Sequence, residues 1–205
     1  MDKKIKKILE DMEKQSEIER TKTLEIPSED RMLAITMDTG KFFNMLLQMI
    51  DAKNILEIGT STGYSTIWLA DAIMGKKGKI ITIEKNPNKI TRARRNFEKA
   101  GILKKIEIRE GNASEVLAEL TKQGLQGHFD FALIDADKEE CIKYFDMILP
   151  MIRKNGVIAT DNMLYPEKYR PEMQKFHDHV EKNSKVISVI VPIGNGEEIT
   201  LKTKI

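Results

Sequence analysis

The chain reads as a single-domain α/β protein. It predicts a seven-stranded, mostly parallel sheet with one antiparallel strand, helices on both faces and extra helices before the first strand. Three observations carry this. Short β-branched apolar runs alternate with stretches of helical spacing, the pattern of βα units. The runs Asn54 to Ile58, His128 to Ile134 and Gly156 to Ala159 feed glycine, acidic or amide residues, at the strand ends where open α/β sheets place ligands. The last two runs, Val186 to Val191 and Ile199 to Thr203, are joined by Pro192-Ile193-Gly194-Asn195-Gly196, an antiparallel hairpin closing the sheet.

At 205 residues and 40% hydrophobic content, the chain can bury one full-sized core. Lys and Arg total 34 against 32 Asp and Glu, so a net charge of +2 provides no global field for nucleic acid. The lone Cys141 leaves no disulfide framework or cysteine metal site and suits a reducing, cytoplasmic setting. No apolar run reaches the roughly 20 residues that span a bilayer, and the N-terminus lacks a signal-peptide core, so no membrane partner is expected.

In order along the chain, residues 1–27 predict an amphipathic helix and a linker. Ile5, Ile8, Leu9, Met12 and Ile18 form its apolar stripe, which would pack on the body or on a second subunit, and Lys3, Lys4, Lys6 and Lys7 form its solvated face. Ser28, followed by Glu29 and Asp30, marks a helix start, and Phe42, Phe43, Leu46 and Leu47 mark a buried helix before the first strand. Thr66 to Met74 predicts a helix burying Ile67, Trp68 and Ala70. The strand Lys79 to Ile83 follows and ends on Glu84. That acid lies about 20 residues beyond the glycine turn, where dinucleotide-type folds hold ribose hydroxyls; a surface salt-bridging acid is the other reading.

Asn86-Pro87 caps a helix whose buried stripe is Ile90, Ala93, Phe97 and Ala100. It leaves Arg92, Arg94 and Arg95 on a solvated face, and Gly101 stops it. Strand Ile106 to Arg109, helix Glu115 to Lys122, strand His128 to Ile134, helix Glu139 to Leu149, strand Gly156 to Ala159 and helix Pro171 to Asn183 complete the alternation before the hairpin.

Two stretches carry chemistry. In Glu57-Ile58-Gly59-Thr60-Ser61-Thr62-Gly63-Tyr64-Ser65, the glycines allow close backbone approach, and the hydroxyls sit where a helix N-terminus exposes amides to a polar ligand. Asp135, Asp161 and Asn162 offer hard oxygen ligands suited to Mg²⁺ or Ca²⁺. Lys138, just beyond Asp135, reads either as a base with a pKa lowered by burial and a nearby cation or as an exposed lysine at a helix start. His177 and His179 are two apart on a helix and cannot share a zinc.

Taken together, Leu56-Glu57-Ile58-Gly59 through Gly63-Tyr64-Ser65, Ile83-Glu84-Lys85-Asn86-Pro87, Gly111-Asn112-Ala113, Leu133-Ile134-Asp135-Ala136-Asp137-Lys138, Thr160-Asp161-Asn162 and Pro192-Ile193-Gly194-Asn195-Gly196 resemble the cation-dependent O-methyltransferases. That family includes catechol O-methyltransferase, plant caffeoyl-CoA O-methyltransferases and bacterial tRNA hydroxyuridine methyltransferases. The resemblance spans about residue 28 to the end and implies that 28–205 is a Rossmann-like class I methyltransferase domain.

The resemblance implies that Glu57, Gly59, Ser61, Gly63 and Ser65 line the methionine end of S-adenosylmethionine, with Ile35 to Met37 covering it. It implies Glu84 on the ribose, Asn112 and Ala113 beside the adenine, and Asp135 bordering the cofactor. Asp135, Asp161 and Asn162 would hold a divalent cation, Mg²⁺ foremost with Ca²⁺ or Mn²⁺ as alternatives, and Lys138 would be the general base. The implied substrate is a small hydroxylated aromatic with a catechol-like vicinal diol, and the implied assembly is a homodimer. A tRNA hydroxyuridine acceptor is a second reading, and a non-catalytic S-adenosylmethionine or nucleotide binder a third. Ser61 replaces a glycine common in other methyltransferases, Ala136 replaces a larger residue of the catechol enzymes, and no substrate-side acid is matched in the loop from Met163 to Pro171.

Overall fold

The computed structural model describes residues 1–21 and 26–204. Seven strands form one sheet: β1 (Ile55–Ile58), β2 (Ile80–Glu84), β3 (Ile106–Glu110), β4 (Phe129–Ile134), β5 (Ile152–Thr160), β6 (Val186–Val191) and β7 (Glu197–Lys202), in the order β3-β2-β1-β4-β5-β7-β6. All neighbouring pairs through β5 are parallel. β7 runs antiparallel to both β5 and β6, so it is the single reversed strand that the hairpin predicts. Every residue of β1 and β4 is buried, as expected for central parallel strands covered on both faces.

The helices are α1 (Lys3–Arg20), α2 (Met37–Met49), α3 (Tyr64–Ala72), α4 (Pro87–Ala100), α5 (Ala113–Lys122), α6 (Cys141–Ile148) and α7 (Arg170–Glu181). α1 to α4 contribute Leu9, Phe43, Leu69 and Phe97 to the core on one sheet face. α5 to α7 contribute Leu117, Phe145 and Phe176 to the core on the other. The strand order reverses between β1 and β4, which opens a crevice at the carboxyl edge where their loops diverge.

Asn86 and Gly101 bound α4 as predicted, with the Asn86 side chain accepting the amides of Asn88 and Lys89 and Gly101 in the left-handed conformation. Other boundaries move. Strand β5 starts earlier, at Ile152, β7 starts at Glu197, and the predicted helix from Glu139 divides into a 3₁₀ turn, Lys138–Glu140, followed by α6. No continuous helix runs on from Ser28. A 3₁₀ turn, Ser28–Asp30, is followed by an extended stretch, and α2 begins only where Thr36 accepts the Thr39 amide as its cap. Part of the predicted linker, 22–25, lies outside the described residues.

Two expectations about side chains are corrected. Ile18 is 41% exposed, while Glu19 is buried beside the stripe of Ile5, Leu9 and Met12. The reason is phase: seven residues beyond Met12 completes two helical turns and falls on residue 19. Arg92 does not belong to a solvated face, because its guanidinium pairs with that buried Glu19. Arg94 and Arg95 are exposed as expected.

Candidate active site

The glycine turn grows directly out of β1. Gly59 has φ +100°, and a Cβ there would overlap the Asp135 carbonyl, so only glycine lets the β1 and β4 ends approach this closely. Gly63, φ +92°, lies against the Phe97 ring, which would meet any side chain there. Between them Ser61 adopts φ 47°, unusual for a residue with a Cβ, and its amide donates to Glu84 Oε2 at 2.8 Å. The Ser61 hydroxyl is buried without a hydrogen-bond partner among the described residues.

Beneath the turn Glu57 is fully buried. Ser65 donates to one of its carboxylate oxygens, and Thr66 and Thr82 to the other, all at 2.6 Å. Because Thr82 spends its proton on Glu57, the Thr60 hydroxyl must be the donor in the 2.6 Å Thr60–Thr82 contact. Burial pushes the Glu57 carboxyl up to about 7, and the three hydroxyl bonds limit the rise. Glu57 and Ser65 therefore face each other below the turn, whereas Glu84 lies at the crevice. There its Oε1 accepts the amides of Lys85 and Asn86 at 3.0 Å each, so neutral backbone donors fix the carboxylate's orientation.

The remaining predicted cofactor residues lie at the starts of α2 and α5. Ile35 is buried in the stretch leading into α2, and Met37, the first residue of that helix, is exposed. Asn112 caps α5 through the Ser114 amide, which uses one of its side-chain acceptors, and Ala113 begins that helix, partly buried.

The second group gathers at the ends of β4 and β5. Lys138 Nζ lies 3.1 Å from Asp135 Oδ1 with the lysine side chain only 8% exposed, which excludes the exposed-lysine reading. Asp161 is buried, and its Oδ1 accepts the amide of Asn162 at 2.6 Å. Asn162 itself sits at φ 71°, in the left-handed region that amide side chains tolerate.

Sequence reasoning missed Glu197. It opens β7, is fully buried, and shares a carboxyl–carboxyl hydrogen bond with Asp161, while Oε1 accepts the Thr39 hydroxyl at 3.2 Å. The only signal was an acid directly after Gly194-Asn195-Gly196, in a stretch that the apolar pattern assigns to the loop.

Burial, then the charge of Asp135, raises the Asp161 carboxyl well above its ordinary range. Burial, then Asp161, raises Glu197 further. For Lys138 burial acts downward, but the neighbouring Asp135 and Asp161 outweigh it, so its pKa is raised rather than lowered as the sequence suggested. Asp135 and Asp161 thus share one buried ammonium, while Glu197 meets Asp161 from the other side. No group of three or more His, Cys, Asp or Glu side chains among the described residues is arranged to hold a metal ion; the predicted ligand set provides two carboxylates and an amide. The hard oxygens of Asp135, Asp161 and Asn162 fit a divalent cation in chemical type. His177 and His179 point to separate partners, Glu198 and Asp146.

The O-methyltransferase family model matches residues 7–205. A catechol O-methyltransferase of Niastella koreensis is 39% identical over 140 residues, which cover 68% of this chain and 62% of that protein. Caffeoyl-CoA O-methyltransferase 1 of Eucalyptus globulus is 32% identical, covering 85% of this chain and 76% of the other. Among solved structures, an O-methyltransferase from Bacillus cereus in complex with SAH superposes with TM-score 0.80 at 27% identity, covering 99% of this chain and 92% of that one. One from Streptomyces achromogenes in complex with SAM gives TM-score 0.80 at 27% identity, with 99% and 91% covered. The chain belongs to the O-methyltransferase family, and it is a methyltransferase.

Proposed function

We propose that this enzyme transfers the methyl group of S-adenosylmethionine to one hydroxyl of a small aromatic vicinal diol, in a reaction that requires a divalent cation, Mg²⁺ by its donor set. The observation that carries this reading is Lys138 set between Asp135 and Asp161, with Glu197 packed against Asp161, beside the Gly59 to Gly63 turn. Acids this poorly compensated at a strand edge are suited to a cation, and neighbouring acceptor oxygens are what such a cation takes up.

Asp135, Asp161 and Asn162 would hold the cation, which supplies acidity to a bound hydroxyl. S-adenosylmethionine supplies a methyl group on positively charged sulfur, transferred to the acceptor oxygen as that oxygen gives up its proton. Glu84, fixed by three amides, is oriented to accept ribose hydroxyls, and the unpartnered Ser61 hydroxyl is available beside it. Lys138 Nζ is the group that would take the acceptor's proton. The pull of Asp135 and Asp161 keeps it an ammonium; where that pull is neutralised, burial alone acts on it and favours the neutral amine that a base requires.

We infer also that two copies pair. Ile187 and Val189 are exposed on edge strand β6, and α2 exposes Met45 and Met49, so apolar surface is open to a second copy. The single buried Cys141 suits a reducing cytoplasmic setting, and no helix among the described residues is long and apolar enough to cross a membrane. The test of the acceptor is mass spectrometry of products formed from S-adenosylmethionine and Mg²⁺ with a panel of catechols and with unmodified tRNA. Monomethylated catechol with untouched tRNA is the expected result; methylation of tRNA alone would overturn the small-molecule reading.

A further inference from the structure

Glu19 sits near the end of α1, where a carboxylate would ordinarily reach solvent, yet it is 1% exposed while its neighbour Ile18 lies outside. Burial of a charge is unfavourable unless its lone pairs are filled. Here they are filled by Gln15 Nε2 at 2.8 Å, Arg92 at 2.5 Å and, from 13 residues further along the chain, the Met32 amide at 2.6 Å. Arg92 also donates to the Asp30 carbonyl at 2.7 Å. The Asp30 carboxylate in turn receives Asn86 Nδ2 at 2.8 Å and Asn88 Nδ2 at 2.9 Å. Asn86 is the residue whose amide orients Glu84. One hydrogen-bonded chain therefore runs from α1 through the stretch ahead of α2 to the acid at the end of β2.

We propose that Glu19 is a positioning residue for S-adenosylmethionine: through the Met32 amide it fixes the strap that carries Ile35 to Met37, and through Arg92, Asp30 and Asn86 it is tied to Glu84. The inference rests on the cofactor reading above. It gives α1 a role in cofactor affinity by way of the strap, with Arg92 and Asp30 as members of the same latch.

The probe is S-adenosylhomocysteine, titrated calorimetrically into the full chain without added metal. Glu19→Gln keeps the volume and removes the charge, and its affinity should fall about tenfold, the scale of one charge-assisted hydrogen bond. Amide exchange at Met32 and the following strap residues should accelerate in the same variant. In turnover, KM for S-adenosylmethionine should rise about tenfold while kcat falls less than about threefold. Arg92→Lys, which keeps a cation, should lose less affinity than Arg92→Ala, and Lys6→Ala on the exposed face of α1 should bind as the unaltered chain does. If Glu19→Gln fails to fold, Asp30→Ala interrupts the same latch, and about threefold weaker binding is expected. Affinity within twofold of the unaltered chain in either folded variant overturns the proposal. Absence of binding by the unaltered chain would instead refute the cofactor reading.

Discussion

The carboxyl edge of the sheet holds acids of two kinds. At the ends of β1 and β2, Glu57 and Glu84 are ringed by neutral donors: three hydroxyls on the first, three amides on the second. At the ends of β4 and β5 and the start of β7, Asp135 and Asp161 share Lys138, and Glu197 packs carboxyl to carboxyl against Asp161. The contrast separates two uses of one residue type. Acids saturated by neutral dipoles give a turn its shape and present a fixed hydrogen-bonding face. Acids left short of donors hold their protons to higher pH, and a bound cation can displace those protons.

The contrast is broken most severely by Asp161→Ala. Methyl transfer should fall at least about a hundredfold, the scale of losing metal-assisted charge stabilisation. S-adenosylhomocysteine affinity, for which the proposal looks to Glu84 rather than to Asp161, should stay within about twofold; calorimetry alongside initial rates checks both. Lys138→Ala should lower kcat by about 10² to 10⁴, the range for a lost general base. The remaining rate should also lose the rise with pH expected of the unaltered enzyme as its ammonium gives up a proton.

A smaller effect tests the other side. Glu57 titrates at about 7 in the folded chain and near 4.5 unfolded. Its folded value is the higher, so the stability it confers is complete below about 4.5 and is lost as pH rises through about 7. Glu57→Gln should flatten that decline, worth about 1.4 kcal/mol per pH unit at most, in urea melts across this window. The smallest change is expected from Glu197→Gln. Burial and Asp161 already hold Glu197 as a neutral acid, so a neutral amide of the same volume should move the melting temperature of the metal-free protein by less than about 2 °C, the equivalent of about 0.5 kcal/mol at this chain length.

The features legible in the sequence are those written in local order. Burial in β1 and β4 shows as unbroken apolar runs, the α4 caps as Asn86-Pro87 and Gly101, and the reversed strand as the Gly194-bearing loop. Glu197 was hidden because its environment is assembled from α2, β5 and β7, far apart in the chain, and apolar periodicity begins only at Ile199. Glu19 was hidden for a related reason: a charged residue in phase with an apolar stripe reads as solvated unless its partners, Arg92 and Met32, are known to be near. The upward shift of Lys138 likewise depends on Asp161, which directly follows the next strand and whose distance from it no sequence pattern gives.

The most direct test of the division between these two acid groups is the initial rate of methyl transfer from S-adenosylmethionine to a simple catechol, with Mg²⁺ and then with EDTA. The unaltered enzyme should form monomethylated product with Mg²⁺ and lose at least about a hundredfold in rate with EDTA, recovering when Mg²⁺ is restored. An equal rate in EDTA would contradict the reading of Asp135, Asp161 and Asn162 as a cation site.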